Sequence, residues 1–223
     1  MSSEAYSRAL MSLAVACAIV STGFVARREL FGSGSGALKP REVSGWQSYV
    51  DPSAVIGDLD APIKLIVFSD FQCPFCKDFA ENVWPPIHER FGDSVALAVR
   101  HWPLVRLHRH AYDAARAATC AGDQGAFEAF HDRLYEHQAE IGVRSYLDLA
   151  SESGVADLAR FAECVSSEDL VPTIDAGETD ALSLGLRGTP SIMINDLLLY
   201  SPPPPLDELV GYIEERLNQR PTA

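Results

Sequence analysis

Cys73 and Cys76 are separated by Pro74 and Phe75, and the pair follows a short apolar run, Ile63 to Phe68. Two thiols at this spacing can close a small disulfide and reopen it. If Pro74 opens a helix, Cys73 lies at its N-terminus, where unpaired backbone N–H groups and the helix dipole favour negative charge. That placement lowers a thiol pKa and marks Cys73 as the nucleophile. Cys76 then falls one turn on, facing inward, placed to resolve a mixed disulfide. A CxxC after a strand in an α/β pattern reads as a redox motif. Two other readings stand beside it: half of a zinc site, or two incidental cysteines. The sequence holds no second CxxC to complete a four-cysteine site.

The elements that must position this pair follow from the patterning around it. Ile63 to Phe68, introduced by Asp60-Ala61-Pro62, reads as a buried central strand. A helix is predicted from Pro74 to about Phe91, with a kink or break at Pro85-Pro86. Val95 to Val99 is the next strand. A strand, helix and strand of these lengths suggest a right-handed crossover and a parallel pair. From His110 to about Leu184 the pattern is almost wholly helical. Ala114, Ala115, Ala118 and Ala121 suit close helix packing, and Phe127, Phe130, Leu134 and His137 share one face of a second helix. Gly122, Gly142 and Gly154 punctuate the block. Ser191 to Asn195 returns to strand, turned by Asn195-Asp196 into Leu197 to Tyr200. Pro202 to Pro205 is a rigid spacer before a final amphipathic helix, Leu206 to Asn218. The order describes one α/β domain with a helical insertion at about 108–184.

The chain has 223 residues, 47% of them hydrophobic, enough to build a sizeable core. Ala9 to Ala26 is uncharged and bounded by Arg8 and Arg27-Arg28. It is just long enough to span a bilayer, so residues 1–31 read as an N-terminal membrane anchor. A cleaved signal segment is the rival, but its small-residue sites around Ala16 and Ala18 would cut in mid-stretch. Cys17 within it reads as apolar filler. Gly32-Ser33-Gly34-Ser35-Gly36 begins a flexible linker, 32–45, and leaves 46–223 as the folded domain. The formal net charge is −13, with no basic stripe, which argues against a nucleic-acid partner.

Four segments carry a family resemblance. Phe68-Ser69-Asp70-Phe71-Gln72-Cys73-Pro74-Phe75-Cys76 resembles the active-site segment of DsbA-like thiol:disulfide oxidoreductases of the thioredoxin superfamily. Arg100-His101-Trp102-Pro103-Leu104 is similar to the end of that family's following strand. His110 to Ala118 resembles the start of its helical insertion, and Gly185-Leu186-Arg187-Gly188-Thr189-Pro190 the loop before its third strand. The segments stand in the family's order between about Val55 and Leu217. The resemblance implies a thioredoxin-like α/β fold with an inserted helical subdomain, working outside the cytoplasm. It also implies a cis bond at Pro190 and a Thr189 backbone free to pair with an extended substrate strand.

Two departures bear on mechanism. Many relatives carry an acid six positions before the first active cysteine, where this chain has Val67. Asp70 is near in sequence, but strand alternation puts it on the opposite face from Val67. The strongest oxidants of the family have His between the cysteines, where this chain has Phe75. The Cys73 thiolate is therefore expected to depend on the helix terminus alone, and the disulfide to be less oxidising than the family's extreme of about −120 mV.

Cys120 and Cys164 both fall in the helical block. In an oxidising compartment they are candidates for a structural disulfide, the alternative being two free buried thiols. His101, His108 and His110 cluster near the second strand; one of them is a candidate to tune Cys73, and a metal site with the cysteines is the weaker reading.

These readings converge on a membrane-anchored thiol:disulfide oxidoreductase on the periplasmic or extracellular side. It would introduce disulfides into cysteine-containing secreted or envelope proteins, with a membrane redox partner to recycle the pair. Thr189 and Pro190 would hold the substrate. No bound cofactor and no metal are needed, because the electrons reside in the cysteine pair. A reductase or isomerase of the same fold, or a non-catalytic substrate- or metal-binding module, are the alternatives.

Overall fold

Alternation along one buried strand organises the two sides of the molecule. The computed structural model describes residues 39–219 with the exception of 168 and 170. The proposed anchor and the Gly-Ser run lie outside the described residues. Among the described residues, no helix is long and apolar enough to cross a membrane. Six strands, β1 (Arg41–Glu42), β2 (Val55–Ile56), β3 (Ile63–Ser69), β4 (Val95–His101), β5 (Ser191–Ile194) and β6 (Leu197–Tyr200), form one sheet in the order β1-β6-β5-β3-β4-β2. β3 is buried over its whole length, because β4 pairs with it in parallel on one side and β5 antiparallel on the other. The parallel pair is the one expected from the strand-helix-strand succession. Each fully buried Ile or Leu here contributes about 1.5–3 kcal/mol.

Ile63, Leu65 and Val67 face one side of the sheet, while Ile66 and Phe68 face the other, as a period of two requires. The first side is covered by α1 (Pro74–Asp78) and α2 (Trp84–Phe91), by the inserted helices α3 (Ala111–Gly122), α4 (Phe127–Glu136), α5 (Tyr146–Glu152) and α6 (Leu158–Ser166), and by α8 (Leu206–Asn218). The second side is covered by α7 (Pro172–Ser183), which sends Ala181 onto Ile66, Phe68 and Met193. α7 comes very close to β4. A Cβ on Gly177 would stand 1.9 Å from the His101 carbonyl oxygen, so only glycine fits. Arg100 in β4 ties the helix down through Asp180, Nη2 to Oδ2 at 2.6 Å.

Several expectations shift. The α-helix after Cys73 is interrupted just ahead of the prolines. It passes through a π-helical turn, Phe79–Val83, and α-geometry resumes at Trp84 with Pro85 and Pro86 in the first turn. Pro85 and Pro86 thus sit in the first turn of the resumed α-helix, where a missing N–H costs least, and the break falls at the π-helical turn before them. Arg41–Glu42, placed in the linker by composition, pairs with β6 as an edge strand, and Val43 beside it is buried. The sheet thus reaches into residues 32–45. The Asn195-Asp196 turn holds because Asn195 takes a positive φ of 50° and its side-chain oxygen accepts from the Lys64 N–H at 2.7 Å.

In the helical block Ala114, Ala115, Ala118 and Ala121 are buried, as are Phe127, Phe130 and Leu134. Cys120 in α3 and Cys164 in α6 are joined by a disulfide, Cα–Cα 6.0 Å across 44 positions of sequence. Replacing both cysteines by serine should lower the unfolding free energy of the oxidised protein by about 4 kcal/mol, from chain entropy alone. Denaturant titration measures this, and an unchanged midpoint would contradict it.

Candidate active site

The redox motif is built where β3 ends. Ser69 closes the strand, Asp70 begins the turn, and the Cys73 N–H donates to the Asp70 carbonyl at 3.0 Å. Cys73 has extended backbone angles and acts as the N-cap of α1, with Pro74 in the first helical position. Its carbonyl accepts from the Cys76 and Lys77 N–H groups, both at 3.2 Å. Cys73 is 4% exposed and Cys76 1%. Phe75 between them is 71% exposed. Both cysteines of the motif are therefore buried, with Phe75 standing out between them.

Two long-range clamps fix this loop. The buried Asp70 carboxylate accepts from the Gln72 N–H at 2.7 Å and the Leu104 N–H at 2.8 Å, and pairs with His108 Nδ1 at 2.9 Å. Asp70 thus anchors the segment after β4, consistent with its exclusion from the position facing Cys76. From the inserted domain, Gln138 Nε2 donates to the carbonyls of Phe71 and Cys73 at 2.8 and 2.9 Å. Thr189 meets the motif from the other side, its carbonyl oxygen 3.4 Å from the Cys73 sulfur. The Thr189-Pro190 bond is cis, and a second cis bond precedes Pro202.

The two thiols are electrostatically opposite. The Cys73 pKa is lowered from 9.0 to about 5. The largest cause is the hydrogen bond from the Cys76 thiol; burial opposes it, and the Thr189 side chain and the N–H groups of Cys76 and Phe75 add to it. The expectation that the helix terminus acts alone is therefore corrected. With no charge available from Phe75, a neighbouring S–H at close range outweighs the backbone donors. Cys76 is pushed well above 9.0, first by burial and then by the Cys73 sulfur that it serves. One proton is held between the two sulfurs, on the inner one.

The histidines play other parts. His101 is buried between Phe71 and Phe127, and burial holds it down to about 4, aided by neighbouring His131 and Arg100 against the pull of Asp51. His108 serves Asp70, and the His110 N–H donates to Gln72 Oε1 at 2.7 Å. None of the three is among the groups that shift Cys73. Among the described residues no cluster of three or more His, Cys, Asp or Glu could hold a metal ion. Sequence reasoning missed Ser69, Gln138 and Tyr135. The last two come from the helical block, and the only local signal was the i, i+4 spacing of His131 and Tyr135 in α4.

Beside the motif runs an apolar groove of about 390 Å³, lined by Phe75, Phe79, Val83, Pro190, Pro202 and Pro203, with Asp78, Thr189 and Ser201 at its polar points.

Comparison with known proteins bears on the fold and the site together. Residues 50–215 match the family described as thioredoxin, and the chain belongs to it. Among solved structures, oxidised BdbD from Bacillus subtilis superposes with a TM-score of 0.65 at 24% identity, covering 74% of this chain and 92% of that one. A thioredoxin-like oxidoreductase from Silicibacter pomeroyi gives 0.60 at 27%, covering 77% and 95%. DsbA of Chlamydia trachomatis gives 0.59 at 21%, covering 75% and 93%. Among curated proteins, the Na(+)/H(+) antiporter NhaA 1 of Mycolicibacterium vanbaalenii is 35% identical over 150 residues, which are 66% of this chain and 24% of that protein. The chain thus spans about a quarter of the length of the curated relatives it matches. Family and fold together define a thioredoxin-like protein with a helical insertion and a buried CxxC pair at the start of α1.

The opposed thiols link stability to pH. A Cys73 pKa of about 5 lies below its ordinary 9.0, so the reduced protein gains stability that is complete above pH 9 and lost as pH falls through 5. The upward shift of Cys76 acts only above pH 9. The oxidised protein has neither thiol. The stability of the reduced form relative to the oxidised form should therefore rise with pH from 5 to 9. Denaturation of both forms across that window measures this, and a flat difference would contradict it.

Proposed function

We propose that this protein is an extracytoplasmic dithiol oxidase that passes its Cys73–Cys76 disulfide to cysteine-containing secreted or envelope proteins. The observation that carries the reading is the placement of Cys73 at the N-cap of α1 with Cys76 buried one turn on, which gives the two thiols opposed acidity. A stabilised Cys73 thiolate favours the reduced pair, and a pair that prefers to be reduced is an oxidant toward others. A client thiolate attacks the Cys73 sulfur, forming a mixed disulfide and releasing Cys76. A second client thiol then attacks the client sulfur of that bond. The client leaves oxidised, and Cys73 leaves as its stabilised thiolate.

Thr189 and Pro190 line the groove against the motif, and Phe75, Phe79, Val83, Pro202 and Pro203 offer it an apolar floor. An extended, apolar client segment fits that chemistry, with the Thr189 backbone as its pairing partner. The Cys120–Cys164 disulfide supports an oxidising compartment. The apolar stretch from Ala9 to Ala26 supports attachment to a membrane, followed by a short tether. A membrane redox partner would reoxidise the pair, and the tether would keep the domain within its reach. No bound cofactor is required.

The reduction potential tests the direction of flow. Equilibrated with glutathione buffers, the Cys73–Cys76 pair should lie at about −120 to −180 mV, and a value near about −270 mV would make it a reductant instead. In the same system Cys76→Ser should accumulate a mixed disulfide with a reduced client peptide, whereas Cys73→Ser should form none.

A further inference from the structure

Cys76 must give up a proton each time it resolves a mixed disulfide, and take one back each time it is released. At 1% exposure it has no direct access to water. Behind its sulfur lies a void of about 10 Å³, the lower limit for a single water, lined among others by Val67, Ser69, Val99, His131 and Tyr135. No carboxylate lines this void among the described residues. The polar groups that reach it are two hydroxyls and an imidazole.

The hydroxyls are connected. Ser69 Oγ lies 2.7 Å from the Tyr135 hydroxyl, and either can be the donor. Ser69 lines the void together with Cys76, and its hydroxyl favours the Cys76 thiolate. Tyr135 is among the residues lining both the void and a second, open cleft shared with Asp132, Trp84 and His88. His131 packs edge-on against the Tyr135 ring, centroids 4.9 Å apart, and its Nδ1 meets the exposed Asp132 carboxylate at 2.9 Å. A hydroxyl both donates and accepts, so a pair of them can pass a proton in either direction without holding a charge.

We propose that the Ser69 and Tyr135 hydroxyls form the proton relay of Cys76, joining the buried sulfur to the cleft at Asp132. The inference rests on the redox reading of the cysteine pair. In the resolving direction, the Cys76 S–H proton passes to Ser69 as the Ser69 proton passes to Tyr135 and the Tyr135 proton passes to solvent water in the cleft at Asp132. The Cys76 thiolate then attacks the Cys73 sulfur. The Cys73–Cys76 bond forms, the bond from Cys73 to the partner sulfur breaks, and the partner leaves as a thiolate with the electron pair. In the oxidising direction Cys76 leaves as a thiolate and is reprotonated along the same path. Ser69 touches the reacting sulfur; Tyr135 acts through it.

Ellman's reagent separates the steps on the full reduced chain. Cys73 attack releases one aryl thiolate, and resolution by Cys76 releases a second. Tyr135→Phe and Ser69→Ala should each slow the second release at least about tenfold relative to the first, within the range of a lost proton-transfer catalyst. Ser69→Thr, which keeps the hydroxyl, should restore it. If Tyr135→Phe does not fold, the Ser69 pair of variants decides. A second release equally fast in folded Ser69→Ala, or slowed equally in Ser69→Thr, overturns the relay while leaving the redox reading intact. If the parent protein releases no second thiolate, the redox reading falls and the relay with it.

Discussion

The hydrogen bond between the Cys76 thiol and the Cys73 sulfur is the interaction on which the rest of the site depends, and most of the surrounding structure serves to hold it. It requires the two sulfurs to meet within the first helical turn, which a helix beginning at Cys73 provides. It also requires the inner sulfur to stay dry. β3, buried along its whole length between β4 and β5, brings the chain out of the sheet at a fixed point. The Asp70 carboxylate and Gln138 then hold the loop from two directions. Burial raises Cys76 and keeps its proton in place, and that proton in turn favours the anion on Cys73.

The helical insertion is thus more than a cover for the sheet. It supplies Gln138 to the backbone of the motif and Tyr135 to the space behind it. Lys77 Nζ donates to the Tyr135 carbonyl at 2.7 Å, so the helix that bears the cysteines is fastened to α4 just after the second thiol. The disulfide between α3 and α6 stiffens the same block. Packing and chemistry share these contacts: loosening the insertion would wet Cys76 and bring the two thiols closer in acidity.

Features set by local chemistry were legible in the sequence. Pro74 opens the helix it was expected to open, Asn195-Asp196 turns the hairpin, and the strand-helix-strand order produces the parallel pair. What escaped notice depends on contacts far apart in the chain. Ser69 and Tyr135 meet across 66 positions, Asp70 and Leu104 across 34, and Gln138 and Cys73 across 65. No periodicity reports such pairs. The edge strand at Arg41–Glu42 was hidden for a related reason: two residues carry no pattern, and only β6 makes them a strand. The source of the Cys73 shift was misjudged because a helix terminus is visible in sequence and the direction of a neighbouring S–H is not.

Thiolate absorbance of the reduced protein, followed against pH, tests the opposed acidity most directly. One thiolate should form with its midpoint near pH 5, lost in Cys73→Ser, and the second should not form below pH 9. Two thiolates appearing together near pH 9 would contradict the account.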